Sequence, residues 1–417
     1  MDKIKNALKM SINYLRPFFK WLILGALMGA IGGLLGTVFH GLLELVTTTR
    51  EENKWLILLL PAAGVVITGL YQVAGNKGKL STNQVLDAAE KDEKVPLVLA
   101  PLIFVGTLLT HLFGGSAGRE GAALQLGGSI GYNIGRALKL DKSDSHIIVM
   151  SGMSSFFSAM FGAPLTAAFF AIEVVRVGYV RHCAFMPCII SSTISYEIAK
   201  HFGAHGVSFA VTMPKISTEL LIKVVILAIL CAWVSVLFCV TIRKTSQIMH
   251  QKIRNDYVRT IVGALLVVGA TLLLRTTDYN GAGMHVIERA MSGKADAFGF
   301  LIKIVLTAIT IASGFKGGEI VPTLFIGATF GCVAGSLLGL DAGFSASIGF
   351  VALFCGVVNC PFASIALALE VFGAEGILIY AISCAVSFMM SGNFSLYKSQ
   401  KIMFSKTTDE KINMPTT

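Results

Sequence analysis

The sequence is poor in charge. Only 14% of its 417 residues are Asp, Glu, Lys or Arg, against about 25% in a soluble domain. A molecule whose whole surface faces water is therefore excluded. Catalytic text is scarce too: there is no H-E-x-x-H helix, no aspartate-rich metal motif and no Walker loop, and no serine-nucleophile elbow is expected. A membrane enzyme would need such a set, so an enzyme is not expected, nor a metal or cofactor. His40, His111, His146, His182, His201, His205, His250 and His285 are dispersed along the chain, which suits structural roles. The eight cysteines lack paired ligand spacing and mostly lie in apolar segments, so buried free thiols are the expectation. The opening text "MDKIKNALKMSINYL" has no short apolar core and cleavage site, so no signal peptide is expected.

What the chain has is hydrocarbon. Hydrophobic residues make up 54% of it and the mean hydropathy is +0.73. Apolar runs approaching or exceeding the roughly 17–25 residues that span a bilayer recur at 21–46, 56–73 and 220–242. Shorter or glycine-broken ones lie at 122–138, 160–175, 261–274 and 321–338. The expected fold is an all-α polytopic membrane protein with a dozen or more helices, several too short to cross alone.

The net charge of +10 reads as topology. Lys3, Lys5, Lys9, Arg16 and Lys20 crowd the first twenty residues. Arg243, Lys244, Lys252, Arg254 and Arg259 form a second cluster, and Lys398, Lys401, Lys406 and Lys411 a third. The positive-inside rule puts all three in the cytoplasm, both termini included, while the lysine-poor linker suits the outside. Charge confined to short loops argues against nucleic acid as a partner.

The chain also repeats itself. Gly127, Gly131 and Gly135 form a ladder that recurs 200 residues later at Gly327, Gly331 and Gly335. Pro164 precedes Glu173 by nine residues, as Pro361 precedes Glu370. "QVLDAA" at 84–89 matches "HVIERA" at 285–290. The division expected is a first half-repeat with the N-terminal segment (1–205), an external linker (206–217), a second half-repeat (218–400) and a short cytoplasmic tail without a regulatory domain (401–417). Because one half starts inside and the other outside, the repeat should be inverted, with the substrate site near the midplane where broken helices meet.

Two loops carry the chemistry. "GSAGREG" precedes a helix that starts near Glu120, and "SGFKGGEIVP" precedes another, with Pro322 suited to its first turn. Two helix starts aimed at one centre offer free N–H groups and positive dipole ends, which is an anion site. Candidate anion-binding residues are Gly118, Arg119, Gly121, Gly318, Ile320 and Val321, the glycines allowing close backbone approach. An ionised Glu120 would occupy the anion's own place and a protonated one would vacate it. The plainer alternative is a cap paired to Arg119.

These motifs resemble the CLC family of chloride channels and anion/proton antiporters. "GREGAALQ" is similar to the family's G-[KR]-E-G-P-x-x-Q, with Ala122 in place of proline, and "GGEIVP" to its G-G-x-F-x-P, with Ile320 at the aromatic position. "NFSLYKSQ" resembles the segment that supplies a tyrosine to the central anion site, here Tyr397. The resemblance implies a CLC-like inverted-repeat bundle, a homodimer with one pore per subunit, and Glu120 as the gate that carries protons. The internal proton-transfer glutamate of chloride/proton antiporters falls at Val174, and Glu173 beside it, like Glu370, is expected to pair structurally inside the bundle. Glu319 puts a carboxyl in the second pore motif, and this combination resembles the bacterial fluoride/proton antiporter branch. A protonated carboxyl is a strong donor, which suits fluoride, a small and strong acceptor; an incidental water-facing residue is the alternative. The first anion loop corresponds to "GKLSTNQVLDA", where Ser81 or Asn83 takes the selectivity position. The expected function is export of fluoride in exchange for protons, with a chloride/proton antiporter or a passive chloride channel of the same fold as the alternatives. A surface acid such as Glu51 is expected to lie away from this site.

Overall fold

The computed structural model describes residues 2–75, 81–91, 93–204 and 206–417, with side chains from Asn13 onwards. His205 and the start of the first anion loop, Gly78 to Leu80, lie outside the described residues, as do the side chains of Lys3, Lys5 and Lys9.

Among the described residues there are sixteen α-helices. The first eight are α1 (Asp2–Glu52), α2 (Leu60–Val73), α3 (Thr82–Glu90), α4 (Leu99–Leu112), α5 (Glu120–Ala137), α6 (Lys142–Phe161), α7 (Pro164–Glu173) and α8 (Phe185–His201). The rest are α9 (Thr218–Lys252), α10 (Asp256–Leu274), α11 (Met284–Met291), α12 (Gly299–Ala312), α13 (Ile320–Leu337), α14 (Ala342–Val358), α15 (Pro361–Phe372) and α16 (Ile377–Met390). The second series repeats the order of the first, and α4 and α12, like α5 and α13, start and stop 200 residues apart. By length and composition five helical segments can cross a membrane, at Asn13–Glu52, Lys54–Val73, Thr218–Lys252, Asp256–Leu274 and Ile320–Leu337. Shorter apolar helices fill the space between them.

Helix boundaries follow local chemistry. The Asp141 carboxylate accepts from the Asp144 N–H at 2.9 Å and opens α6; Asp341 does the same for Phe344 at 2.8 Å and opens α14. Such caps satisfy donors that have no partner inside the helix. The apolar run 160–175, expected to be short or glycine-broken, spans the end of one helix and the whole of the next. Gly162, in the left-handed region at φ 72°, ends α6, and Pro164 sits at the start of α7. Proline pre-sets the backbone for a first turn but lacks the N–H a helix interior needs.

The glycine ladders set the closest packing. A Cβ on Gly127 would collide with the Gly152 carbonyl of α6, and one on Gly152 with the Gly127 carbonyl. Gly327 and Gly349 stand in the same reciprocal relation between α13 and α14. Close backbone approach is how helices gain dispersion contact where lipid removes the hydrophobic drive. The core that results is continuous and includes fully buried Phe156, Phe170, Phe350 and Tyr380.

The tail expected at 401–417 is folded. β1 (Arg176–Val177), β2 (Lys401–Phe404) and β3 (Lys411–Pro415) form one small sheet, parallel between β1 and β2 and antiparallel between β2 and β3. Ile402 is fully buried and Thr416 nearly so. The cysteines are free thiols; seven are buried and Cys183 is exposed.

Gly127→Ala should therefore destabilise the protein by about 1–3 kcal/mol, the cost typical of overpacking. Gly41→Ala, whose Cβ meets nothing within 4 Å, should be neutral or stabilising, because alanine is the better helix former. Thermal unfolding of both variants in mild detergent checks this; equal melting temperatures would remove the packing account of the ladder.

Candidate anion and proton site

Gly118 and Gly318 pair as an antiparallel bridge, each N–H donating to the other's carbonyl at 2.7 Å. The bridge ties the loop before α5 to the loop before α13 and brings the two helix starts face to face. No side chain fits there: a Cβ on Gly121 would lie 2.8 Å from the Gly318 Cα, and one on Gly318 would collide with the Gly121 N–H. The glycine N–H groups at 118 and 318 are spent on each other, so the remaining donors are those of the first turns. The first intrahelical bonds run from Ala123 to Arg119 and from Thr323 to Glu319. The N–H groups of Glu120, Gly121 and Ala122, and of Ile320 and Val321, precede them; Pro322 has none.

The loops are also laced by threonines. The Thr310 hydroxyl accepts from the Ser116 N–H at 3.2 Å, and the Thr110 hydroxyl accepts from the Lys316 N–H at 3.2 Å. Each half's helix thus holds the other half's loop. The text G-x-S-x-G does occur, at 114–118 and 127–131, against expectation. Neither copy is a nucleophile elbow: Ser116 Oγ lies 3.1 Å from Thr307 Oγ1, and Ser129 Oγ donates to the Pro96 carbonyl.

Glu120 is fully buried at the centre. Its Oε2 accepts from the Arg119 N–H at 3.1 Å, and its Oε1 makes only an ion contact with Arg119 Nε at 3.4 Å. Its neighbour Arg119 lines one cavity, the opposite loop's Gly317 and Glu319 line another, and Glu120 lines neither. One, of about 460 Å³, is walled by Arg50, Glu51, His111, Arg119, His285 and Glu288 among others. Glu51, expected away from the site, is thus part of this wall and pairs with Arg50. The other, of about 340 Å³, is walled by Ser81, Asn83, Gln125, Glu319 and Tyr397 together with Arg243, Arg259, Lys316 and Lys398. Arg259 is paired with Asp256 at 2.6 Å, and Arg243, Lys316 and Lys398 against the one acid make this wall attractive to anions.

Tyr397 is 2% exposed, and its hydroxyl has no partner among the described residues. Ser81 begins α3 without using its side chain as a cap, while Asn83 Oδ1 accepts from the Ser399 N–H at 3.0 Å. The structure brings both to the same cavity. Thr82 between them accepts a hydrogen bond from Gln125 at 3.0 Å, and neither residue was singled out from the sequence. Lys316 was missed as well; its ammonium stacks 4.0 Å over the Tyr71 ring. The available signals were the glutamine that closes "GREGAALQ" and the single base in "SGFKGGE".

Glu173 and Glu370 are elsewhere and occupied. Glu173, at the end of α7, accepts from the N–H groups of Phe362 and Ala363 at the start of α15, at 3.3 and 2.8 Å. Glu370 in α15 accepts from Leu165 and Thr166 at the start of α7, at 2.7 and 2.9 Å. Each caps the other's helix. Val174, the position after Glu173, is fully buried.

A bundle of long and broken helices, with paired helix starts and a fully buried carboxyl where they meet, is the architecture of an ion-transport protein of the membrane. The family profile "Voltage gated chloride channel" matches residues 70–392, and the chain belongs to this CLC family. It is 32% identical over 395 residues to the "Chloride/fluoride channel protein" of Pseudomonas syringae pv. tomato, covering 93% of this chain and 87% of that one. An "H(+)/Cl(-) exchange transporter" of Vibrio vulnificus is 25% identical, covering 84% and 81%. Among solved structures, a "CLC-type fluoride/proton antiporter" superimposes with a TM-score of 0.89 at 31% identity, covering 92% of this chain and 98% of that one. A "slow cyanobacterial Cl-/H+ antiporter" shares the fold, with a TM-score of 0.78 at 19% identity over 89% and 94% of the two chains.

Because Glu173 and Glu370 do the same work in reverse, Glu173→Ala and Glu370→Ala should lower stability by similar amounts, about 0.5–2 kcal/mol each, as lost helix caps do. Detergent melts of the two variants check the symmetry. A loss from one only would show that the caps are not equivalent.

Proposed function

We propose that the protein is an anion/proton antiporter of the cell membrane that exports fluoride in exchange for protons. The observation that carries the reading is Glu319: its carboxyl lines the basic cavity with Tyr397, and Oε2 lies 3.6 Å from where a Cβ on Gly121 would stand. A carboxyl facing the first turn of α5 is a strong donor when protonated and a repulsive charge when ionised. Fluoride gains more from such a donor than chloride does, since it accepts more strongly and has more hydration to replace. The names of the Pseudomonas relative and of the 31%-identical structure support the same substrate.

In this reading Glu120 is the gate. Ionised, it holds the place between the cavities; protonated, it leaves that place to an anion and carries a proton with it. Arg119, Gly118, Gly121 and Gly318, with the N–H groups of Ile320 and Val321, form the passage, and Tyr397 with Ser81 or Asn83 forms the cytoplasmic part of the anion path. Protons reach Glu120 without an internal glutamate, since Val174 cannot titrate. The chain works as two inverted halves, 1–205 and 218–400, joined by the linker 206–217, with both termini in the cytoplasm. The exposed side chains of Leu378 and Met389 in α16 belong to a face that packs a homodimer whose subunits transport independently. Ser81 in the cavity wall favours the second reading, a chloride transporter or chloride channel of the same fold.

Glu120→Gln should abolish proton movement, because an amide neither ionises nor carries the proton. A pH electrode beside proteoliposomes under a fluoride gradient measures it, and undiminished proton flux would end the gate assignment. Anion flux in the native protein with no proton flux, read as the voltage at zero net current, would establish the channel instead.

Selectivity rests on Glu319. Native liposomes should release fluoride faster than chloride, and Glu319→Ala should slow fluoride turnover roughly tenfold or more, as loss of a charged-group hydrogen bond implies. Glu219→Ala, at an exposed acid that pairs with Lys223, should leave both rates alone. Chloride-favouring rates in the native protein would move the assignment to chloride.

A further inference from the structure

Tyr397 lies in residues 391–400, a stretch without helix or strand. A phenol that meets a small anion must be held to a fraction of an ångström, since hydrogen bonds weaken steeply with distance and angle. The loop has no ladder of its own to do this. Its carbonyls are held mainly from outside. The Asn393 carbonyl accepts from the Thr417 N–H at 2.9 Å, and the Phe394 carbonyl from Asn359 at 2.9 Å. The Ser395 carbonyl accepts from Arg243 at 2.9 Å. The Tyr397 carbonyl itself accepts from the Thr416 hydroxyl at 2.8 Å and from the Gln400 N–H at 3.2 Å. Arg243 closes the ring with its other arm, donating to the Thr416 carbonyl at 3.2 Å. Of the four carbonyls that flank the phenol, two are held by the last two residues of the chain and one by Arg243.

We propose that residues 401–417 and Arg243 form a clamp that sets the position of Tyr397, with Thr416 and Arg243 as positioning residues for the anion site. The proposal rests on the reading of Tyr397 as an anion contact. Residues 401–417 contribute no side chain to the cavity wall; they act through the backbone of the tyrosine. The sheet carries the clamp further, because β2 pairs with β1 directly after α7 and Gln400 donates to the Val174 and Val358 carbonyls at 2.9 and 2.8 Å. Tail, tyrosine loop and the ends of α7 and α14 are thereby one unit.

The test is a set of substitutions in the full-length protein, with initial fluoride efflux measured against fluoride concentration. Thr416→Val keeps the shape and loses the donor; it should raise the KM for fluoride about three- to tenfold, the effect of one hydrogen bond, while the pH dependence set by Glu120 stays in place. Thr416→Ser should restore the native KM. Arg243→Lys keeps the charge of the cavity wall but loses the fork that spans two carbonyls, and should raise KM alike. In a Tyr397→Phe background, Thr416→Val should add nothing, since coupled residues are not additive. An unchanged KM in both Thr416→Val and Arg243→Lys, or an effect of Thr416→Val that persists in full beside Tyr397→Phe, overturns the clamp. A lowered melting temperature with native KM does the same, as it marks a purely structural contact. If Tyr397→Phe alone is silent, the anion role of Tyr397 fails and the clamp with it. If the liposomes carry chloride and not fluoride, only the substrate assignment fails, and the same variants are read in chloride.

Discussion

Two hydrogen bonds between Gly118 and Gly318 organise the molecule. They join loops 200 residues apart where both glycines are buried, and where each unpaired backbone group costs several kcal/mol. Neither loop can satisfy its own N–H and C=O, so neither can stand without the other. The exchange fixes both helix starts in one place, and the absence of side chains at 118, 121 and 318 is its geometric condition. Everything that follows at the site depends on that contact, from the burial of Glu120 to the separation of the two cavities.

Reciprocity extends outwards from the bridge. Thr110 and Thr310 each hold the opposite loop, and Glu173 and Glu370 each cap the opposite helix. The glycine pairs 127/152 and 327/349 repeat the same close approach on either side. A repeated chain obtains this economically, because one local solution serves twice. Polar groups buried without partners are the dangerous element in such a bundle, and here one half supplies what the other lacks. The two halves are complementary in hydrogen bonding as well as in shape.

This complementarity explains what was readable beforehand. The ladder spacing, the Pro-to-Glu spacing and the two pore loops were visible because repeated geometry imposes repeated text. The helical bundle followed from composition and from those motifs, while Tyr397 was singled out only through the family resemblance of "NFSLYKSQ"; both it and Glu319 line one cavity. The break at Gly162 was within reach, since 160–175 reads as a short, glycine-interrupted run with Pro164 just after the glycine. The sheet at 401–417, by contrast, was hidden. Its partner strand, Arg176–Val177, is two residues long and lies more than 200 positions away, so nothing in the local alternation announces the pairing. Thr82, Gln125 and Lys316 are ordinary polar residues whose importance comes only from what folds against them.

The acids of the bundle differ in how fully they are engaged. Glu173 has both oxygens filled by N–H groups of a foreign helix, and Glu370 is filled likewise, with the Thr166 hydroxyl in addition at 2.6 Å. A carboxyl so engaged is held in place, and moving it would leave the donors of a helix start without partners. Glu120 accepts only from its own neighbour Arg119, leaving one oxygen without a hydrogen bond, and Glu319 faces a cavity. Among the described residues, neither of these two caps a foreign helix with its side chain. The distance from Glu173 to a proton-carrying role is therefore not the one-residue offset from Val174 alone. The cap it provides to α15 already engages both its oxygens, which no foreign helix does for the pair at the helix starts.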